Sequence, residues 1–175
     1  MVRLSEMSPV TSQIRPQWVH SFGDGADLGR ELLGNKGARL AEMTALGLPV
    51  PAGFTITTET CLEYYRSGGL PEDLWPEVQA GIGTLEQATG RRFGDPSNPL
   101  LVSVRSGAAV SMPGMMDTVL DLGINERVAL GIAAATGDEH FALDLHRRFI
   151  QMFGSVVLGV DSSLLQEVIQ ERQAA

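Results

Sequence analysis

Cysteine occurs once in this 175-residue chain, at Cys61. A single thiol excludes an internal disulfide and a cysteine-based zinc site. With apolar neighbours in TTETCLEYY, Cys61 reads as a buried core thiol. Lysine is equally scarce: all but one of the 13 basic residues are arginine, the exception being Lys36. Basic runs are missing, none being longer than Arg91-Arg92 or Arg147-Arg148. Together with a net charge of −8, this argues against binding to a nucleic-acid backbone. No apolar stretch approaches the roughly 18 residues that span a bilayer. The leading MVRLSEMSPVTSQIRPQ lacks the apolar heart of a secretory signal, so a cytoplasmic setting is expected. The three histidines, His20, His140 and His146, stand apart with no metal-ligand spacing and read as surface residues.

Hydrophobic residues make up 43% of the chain, enough to bury a core. Residues 1–17 read as a flexible leader, followed by a short strand at 17–22 and a turn at GDGAD. The segment Leu33-Gly34-Asn35-Lys36-Gly37 is a glycine-bracketed turn opening into a helix, with Leu40, Met43 and Leu46 at helical spacing and Gly47 as its stop. GFTIT reads as a strand. Thr60 and Glu63 have the spacing of a capping box for a helix ending at Gly68-Gly69. Pro71 begins another helix, with Leu74, Val78, Ile82 and Leu85 on one stripe and Gly90 as its stop. The run Leu100–Val104 reads as a strand buried on both faces, ending at Arg105. VLDLG suggests a further strand. Asn125 and Asp138 are helix N-caps, the second helix carrying a stripe of Phe141, Leu145, Phe149, Met152 and Val156. A last helix starts near Asp161.

Two segments carry possible chemistry. In the first, glycines flank Lys36, and the following helix offers unpaired N–H groups with the positive end of its dipole, which suits a polyphosphate. It is not a Walker A loop, because Gly29-x-x-x-x-Gly34 is followed by Asn35-Lys36-Gly37 and not by Lys and a hydroxyl residue. The competing reading is a glycine-rich turn with a solvated lysine. In the second, Ser103-Val104-Arg105-Ser106-Gly107 places a guanidinium at the end of a strand, where open sheets present ligand groups and where a fork can grip phosphate oxygens. Its competing reading is a salt bridge at a sheet edge. Downstream, Met112, Met115 and Met116 around Pro113-Gly114 make a loop that is either an adaptable apolar lid or tucked into the core. Asp117 either orients a cation or caps the next strand. The candidate set is therefore Lys36, Arg105, Gly34, Gly37, Ser103, Met112, Gly114 and Asp117.

The stretches LLGNKGARLAEMTALGLPVPAGFTITTETCLEYY (32–65) and PLLVSVRSGAAVSMPGMMDTVLDLGIN (99–125), continued by DLHRRFIQMFGSVVLGV (144–160), resemble the N-terminus of the pyruvate, phosphate dikinases. The resemblance implies an α+β fold, part of an ATP-grasp-type nucleotide domain. It assigns residues 18–110 to a first nucleotide-binding subdomain with a small mixed sheet, and 111–175 to a lid-like loop with a truncated helical subdomain. The family turns ATP, phosphate and pyruvate into AMP, pyrophosphate and phosphoenolpyruvate through a phosphohistidine carrier. Its motif lysine and arginine contact the nucleotide phosphates, roles that fall on Lys36 and Arg105. Asn35 departs from the pattern, which usually has glycine there. The family's acidic magnesium ligands, carrier histidine and pyruvate barrel lie beyond residue 175. The resemblance thus implies an ATP-binding portion of a dikinase, inactive alone and completed by the missing remainder. The alternative is a non-catalytic relic or interaction module.

Overall fold

The computed structural model describes residues 16–107 and 118–173. Strand β1 (Val19–Ser21) pairs antiparallel with β2 (Phe54–Ile56), Val19 opposite Ile56 and Ser21 opposite Phe54. Between them runs helix α1 (Gly29–Ala45), and after β2 come α2 (Thr58–Ser67) and α3 (Leu74–Thr89). The Glu77 carboxylate on α3 accepts hydrogen bonds from the backbone N–H groups of Trp18 and Val19, at 2.8 and 2.9 Å. That contact ties the start of β1 to α3, where Trp18, Val19 and Leu74 bury one small core against Phe54 and Val78. A second core, Leu33, Ala38 and Ala41, lies on α1.

The chain continues through β3 (Arg92–Phe93) and β4 (Pro99–Leu100), which pair in parallel. Then β5 (Val102–Arg105) pairs antiparallel with β6 (Thr118–Leu122). The register shifts between Val102 and Val104, where three steps of β6 oppose two of β5. Asp121 takes a φ of 56° there, a left-handed conformation that aspartate tolerates better than most residues, and the result is a bulge. Helices α4 (Glu126–Thr136), α5 (Glu139–Val156) and α6 (Ser162–Gln173) follow. Ile124, Val128 and Ala129 form the third core, packed by Leu101, Ile132, Leu145 and Phe149.

The fold class is α+β, as expected, but the sheet among the described residues is three separate two-stranded pieces. Most local punctuation follows the sequence. Gly68, Gly90 and Gly137 end helices in the left-handed conformation. The side chains of Asn125 and Asp138 accept from the N–H groups of Val128 and Phe141. No helix among the described residues is long and apolar enough to cross a membrane.

The structure differs from expectation in five places, four of burial and one of capping. The run 100–104 is two strands in two sheets, with Leu101 between them and Ser103 and Val104 exposed, so it is not a doubly buried strand. Helix α2 starts at Thr58 with Thr57 before it. Thr60 and Glu63 therefore lie inside the helix, and Glu63 pairs with Arg66 in place of closing a capping box. Met43 and Leu46 are exposed, because α1 turns its small residues, Gly37, Ala38 and Ala41, toward the interior to let β2 come close. On α5 the expected stripe holds at Leu145 and Phe149, whereas Phe141 and Val156 are exposed. Cys61 is exposed on α2 and is not a core thiol.

Candidate functional site

Helix α1 is broken at Gly34, whose φ of 67° and ψ of 171° lie in a region essentially reserved for glycine. A residue in that conformation cannot carry the i→i−4 hydrogen-bond ladder through itself. The expected glycine turn is thus realised as a kink between one short turn (29–33) and a longer helix that starts at Asn35. Gly34 and Gly37 are both buried. A Cβ built on Gly37 would lie 2.7 Å from Oγ1 and 2.9 Å from Cγ2 of Thr55, so the absence of a side chain lets this turn sit directly on β2. Lys36, between the two glycines, keeps a partly exposed side chain.

The kink orphans carbonyls at the end of the short turn, and a residue the sequence reading passed over takes them up. Thr58, the first residue of α2, donates its hydroxyl to the carbonyls of Glu31 and Leu32, at 2.5 and 3.2 Å. No local motif announces this contact, since its partners lie 27 and 26 residues upstream. Asn35, the first residue after the kink, has a buried Oδ1 with no hydrogen-bond partner among the described residues.

Lys36 Nζ donates to the carbonyl oxygen of Ser106 at 3.0 Å, across 70 residues of sequence. The acceptor directly follows Arg105, the last residue of β5. The structure therefore brings the lysine turn and the arginine strand end together. Arg105 is exposed, as are Ser103, Val104, Ser106 and Gly107. Ser103 lies across from the bulge of β6, at a step with no one-to-one partner in the register. Met112, Gly114 and Asp117 lie outside the described residues.

Among the described residues no three His, Cys, Asp or Glu side chains gather as metal ligands. Two open, mainly apolar grooves lie elsewhere. One, of about 310 Å³, is lined by Ile56, Thr60, Cys61, Tyr64, Tyr65 and Leu70. The other, of about 320 Å³, lies between α5 and α6 against Leu143, Ile150, Leu165 and Val168. The chemistry the lysine–arginine region can support is electrostatic. It brings the Lys36 ammonium to the end of the strand that carries Arg105, beside a close-packed glycine backbone at a helix start, a setting that favours anions.

A family model described as the pyruvate phosphate dikinase AMP/ATP-binding domain matches residues 30–75, which include the kink, Lys36 and Thr58. The chain is 51% identical over 174 residues to pyruvate, phosphate dikinase 2 of Zea mays, an alignment covering 97% of this chain and 20% of that protein. It is 52% identical over 163 residues to the pyruvate, phosphate dikinase of Rhizobium meliloti, covering 90% of this chain and 18% of the relative. With the pyruvate, phosphate dikinase of Clostridium symbiosum it shares 51% over 154 residues, 87% of this chain and 18% of the relative. The chain thus spans about a fifth of the length of the curated relatives it matches.

Proposed function

We propose that this chain, related as it is to the nucleotide-binding part of the pyruvate, phosphate dikinases, holds the phosphates of ATP or AMP in a phosphotransferase of that kind. The whole reaction would take ATP, phosphate and pyruvate to AMP, pyrophosphate and phosphoenolpyruvate, with the rest of the dikinase supplied as a partner and a cytoplasmic setting. The observation that carries the reading is the hydrogen bond from Lys36 to Ser106, which joins the two cationic elements into one region.

In this reading Lys36 and Arg105 neutralise and orient the phosphate chain, Lys36 as a mobile point charge and Arg105 as a planar fork. Gly34 and Gly37 let the backbone of the turn approach the ligand. Ser103, Met112, Gly114 and Asp117 complete the proposed contact set. The chain's contribution is positioning and charge stabilisation, with no bond-making group of its own. Magnesium would accompany the ATP, with its acidic ligands supplied from outside this chain.

Calorimetric titration of magnesium ATP into the full chain tests the proposal, beside Lys36→Ala and Arg105→Gln. A Kd tighter than about 1 mM, roughly −4 kcal/mol, is expected for the unaltered chain. Each variant should lose at least tenfold in affinity while keeping its far-ultraviolet circular dichroism. A folded sample that gives no heat would overturn the nucleotide reading and leave the non-catalytic interaction module in its place.

A further inference from the structure

We infer that Thr58 is a positioning residue for the phosphate-binding turn, acting through the carbonyls of Glu31 and Leu32 to hold the break at Gly34 open. The inference rests on the nucleotide reading above and names a residue outside both segments to which that reading assigns the phosphates, 33–37 and 103–107. A break in a helix leaves orphans of both kinds, acceptors on the turn before it and donors on the turn after it. Here the acceptors are met by a side chain from another helix: the Thr58 hydroxyl reaches both carbonyls just upstream of Gly34. With those carbonyls occupied, the chain gains less by straightening and reclosing its i→i−4 ladder across the glycine. The start of the second helix, Asn35 to Gly37, then stays presented with Lys36 at its tip.

Three features separate this contact from incidental surface bonding. Thr58 is the first residue of α2, so the start of α2 abuts the end of the short turn of α1 and complements its partial negative charge. Thr55, three residues earlier, lies against Gly37, so the β2–α2 corner supports the turn on both sides of the kink. Further, Thr57 immediately before it is buried and its hydroxyl lies 3.2 Å from that of Thr60, which fixes the corner independently of Thr58. Removing the Thr58 hydroxyl alone should therefore disturb the kink without unfolding the corner.

The test compares Thr58→Val, which keeps the branched shape and loses the hydroxyl, with Thr58→Ser, which keeps the hydroxyl. The probes are magnesium ATP titrated calorimetrically and thermal unfolding of the same samples. Thr58→Val is expected to weaken binding about fivefold, the range of one hydrogen bond, with its Tm within about 2 °C of the unaltered chain. Thr58→Ser should bind within about twofold of the unaltered chain. In ¹⁵N correlation spectra the amide signals of Asn35 and Lys36 should move in Thr58→Val and not in Thr58→Ser. Unaltered affinity in Thr58→Val, or equal weakening in both variants, would overturn the role. So would a binding loss matched by a fall in Tm, since that is what a merely structural threonine would give. If the unaltered chain binds and Thr58→Val binds equally well, this inference alone fails. If the unaltered chain does not bind, the nucleotide reading fails with it.

Discussion

Around Lys36 the backbone is enclosed: Gly34, Gly37, Ala38 and Ala41 are buried, Thr55 presses on the turn from β2, and Thr58 holds the carbonyls before it. From Ser103 to Gly107 every residue is exposed, and the strand end is placed by its pairing with β6 and by the hydrogen bond from Lys36 to Ser106. The two halves of one proposed site are thus built differently. The lysine half is preorganised by packing: the burial of Gly34 and Gly37 ties its geometry to the stability of its module, while the half-buried Thr58 hydroxyl positions the turn at little cost to folding. The arginine half is held by a short ladder and one long-range hydrogen bond, so its geometry can change at little cost to folding. Small residues explain the contrast. Only a turn without side chains can be buried this closely against a strand, whereas a strand end that offers a guanidinium must face solvent.

The largest effect that would break this comparison comes from adding a single methyl group to each half. Gly34→Ala forces a side chain into a glycine-only conformation, and Gly37→Ala drives a Cβ into Thr55. Each should destabilise the protein by about 1–3 kcal/mol in urea unfolding. A Cβ on Gly107 meets nothing within 4 Å among the described residues, and Gly107→Ala should stay within about 0.5 kcal/mol. Equal costs at Gly37 and Gly107 would mean that the two halves are not built differently after all.

A middle-sized effect isolates the hydrogen bond between them. Lys36→Met keeps the apolar stem and removes the donor to Ser106. Hydrogen exchange of the amides at 105–107 should accelerate several-fold, with a stability loss below about 1 kcal/mol because the bond is exposed. Exchange that stays unchanged would show that pairing with β6 alone places Arg105.

The smallest effect concerns α5, the helix that packs behind β6. Hydrogen bonding from Arg147, then the charges of Arg147 and Arg148, hold the Asp144 carboxyl below its ordinary value. Its contacts are 2.6 Å to Arg147 and 2.7 Å to Arg148. A carboxyl depressed in the folded state stabilises above its unfolded pKa, and the contribution is lost as pH falls through the folded value. Asp144→Asn should therefore flatten the fall of the urea midpoint below about pH 4, with a slight change at neutral pH because solvent reaching the half-exposed arginines screens the pair. An unaltered acid limb in the variant would assign that limb to other carboxylates.

Sequence by itself determined the punctuation of this protein. The glycine stops at Gly68 and Gly90 and the caps at Asn125 and Asp138 are legible because each rests on interactions within about four residues, and the glycine turn around the lone lysine is legible from its composition. The motif stretches around Lys36 and Arg105 made the relation to the dikinases legible as well. Tertiary structure decided what faces what. It split 100–104 between two sheets, exposed Cys61, and turned α1 so that its small residues and not Met43 and Leu46 lie inside. It also set Lys36 against Ser106 and Thr58 beneath the kink. These last two contacts join partners 26 to 70 residues apart, at distances where periodicity and capping carry no information and only the packing of distant segments selects the neighbour.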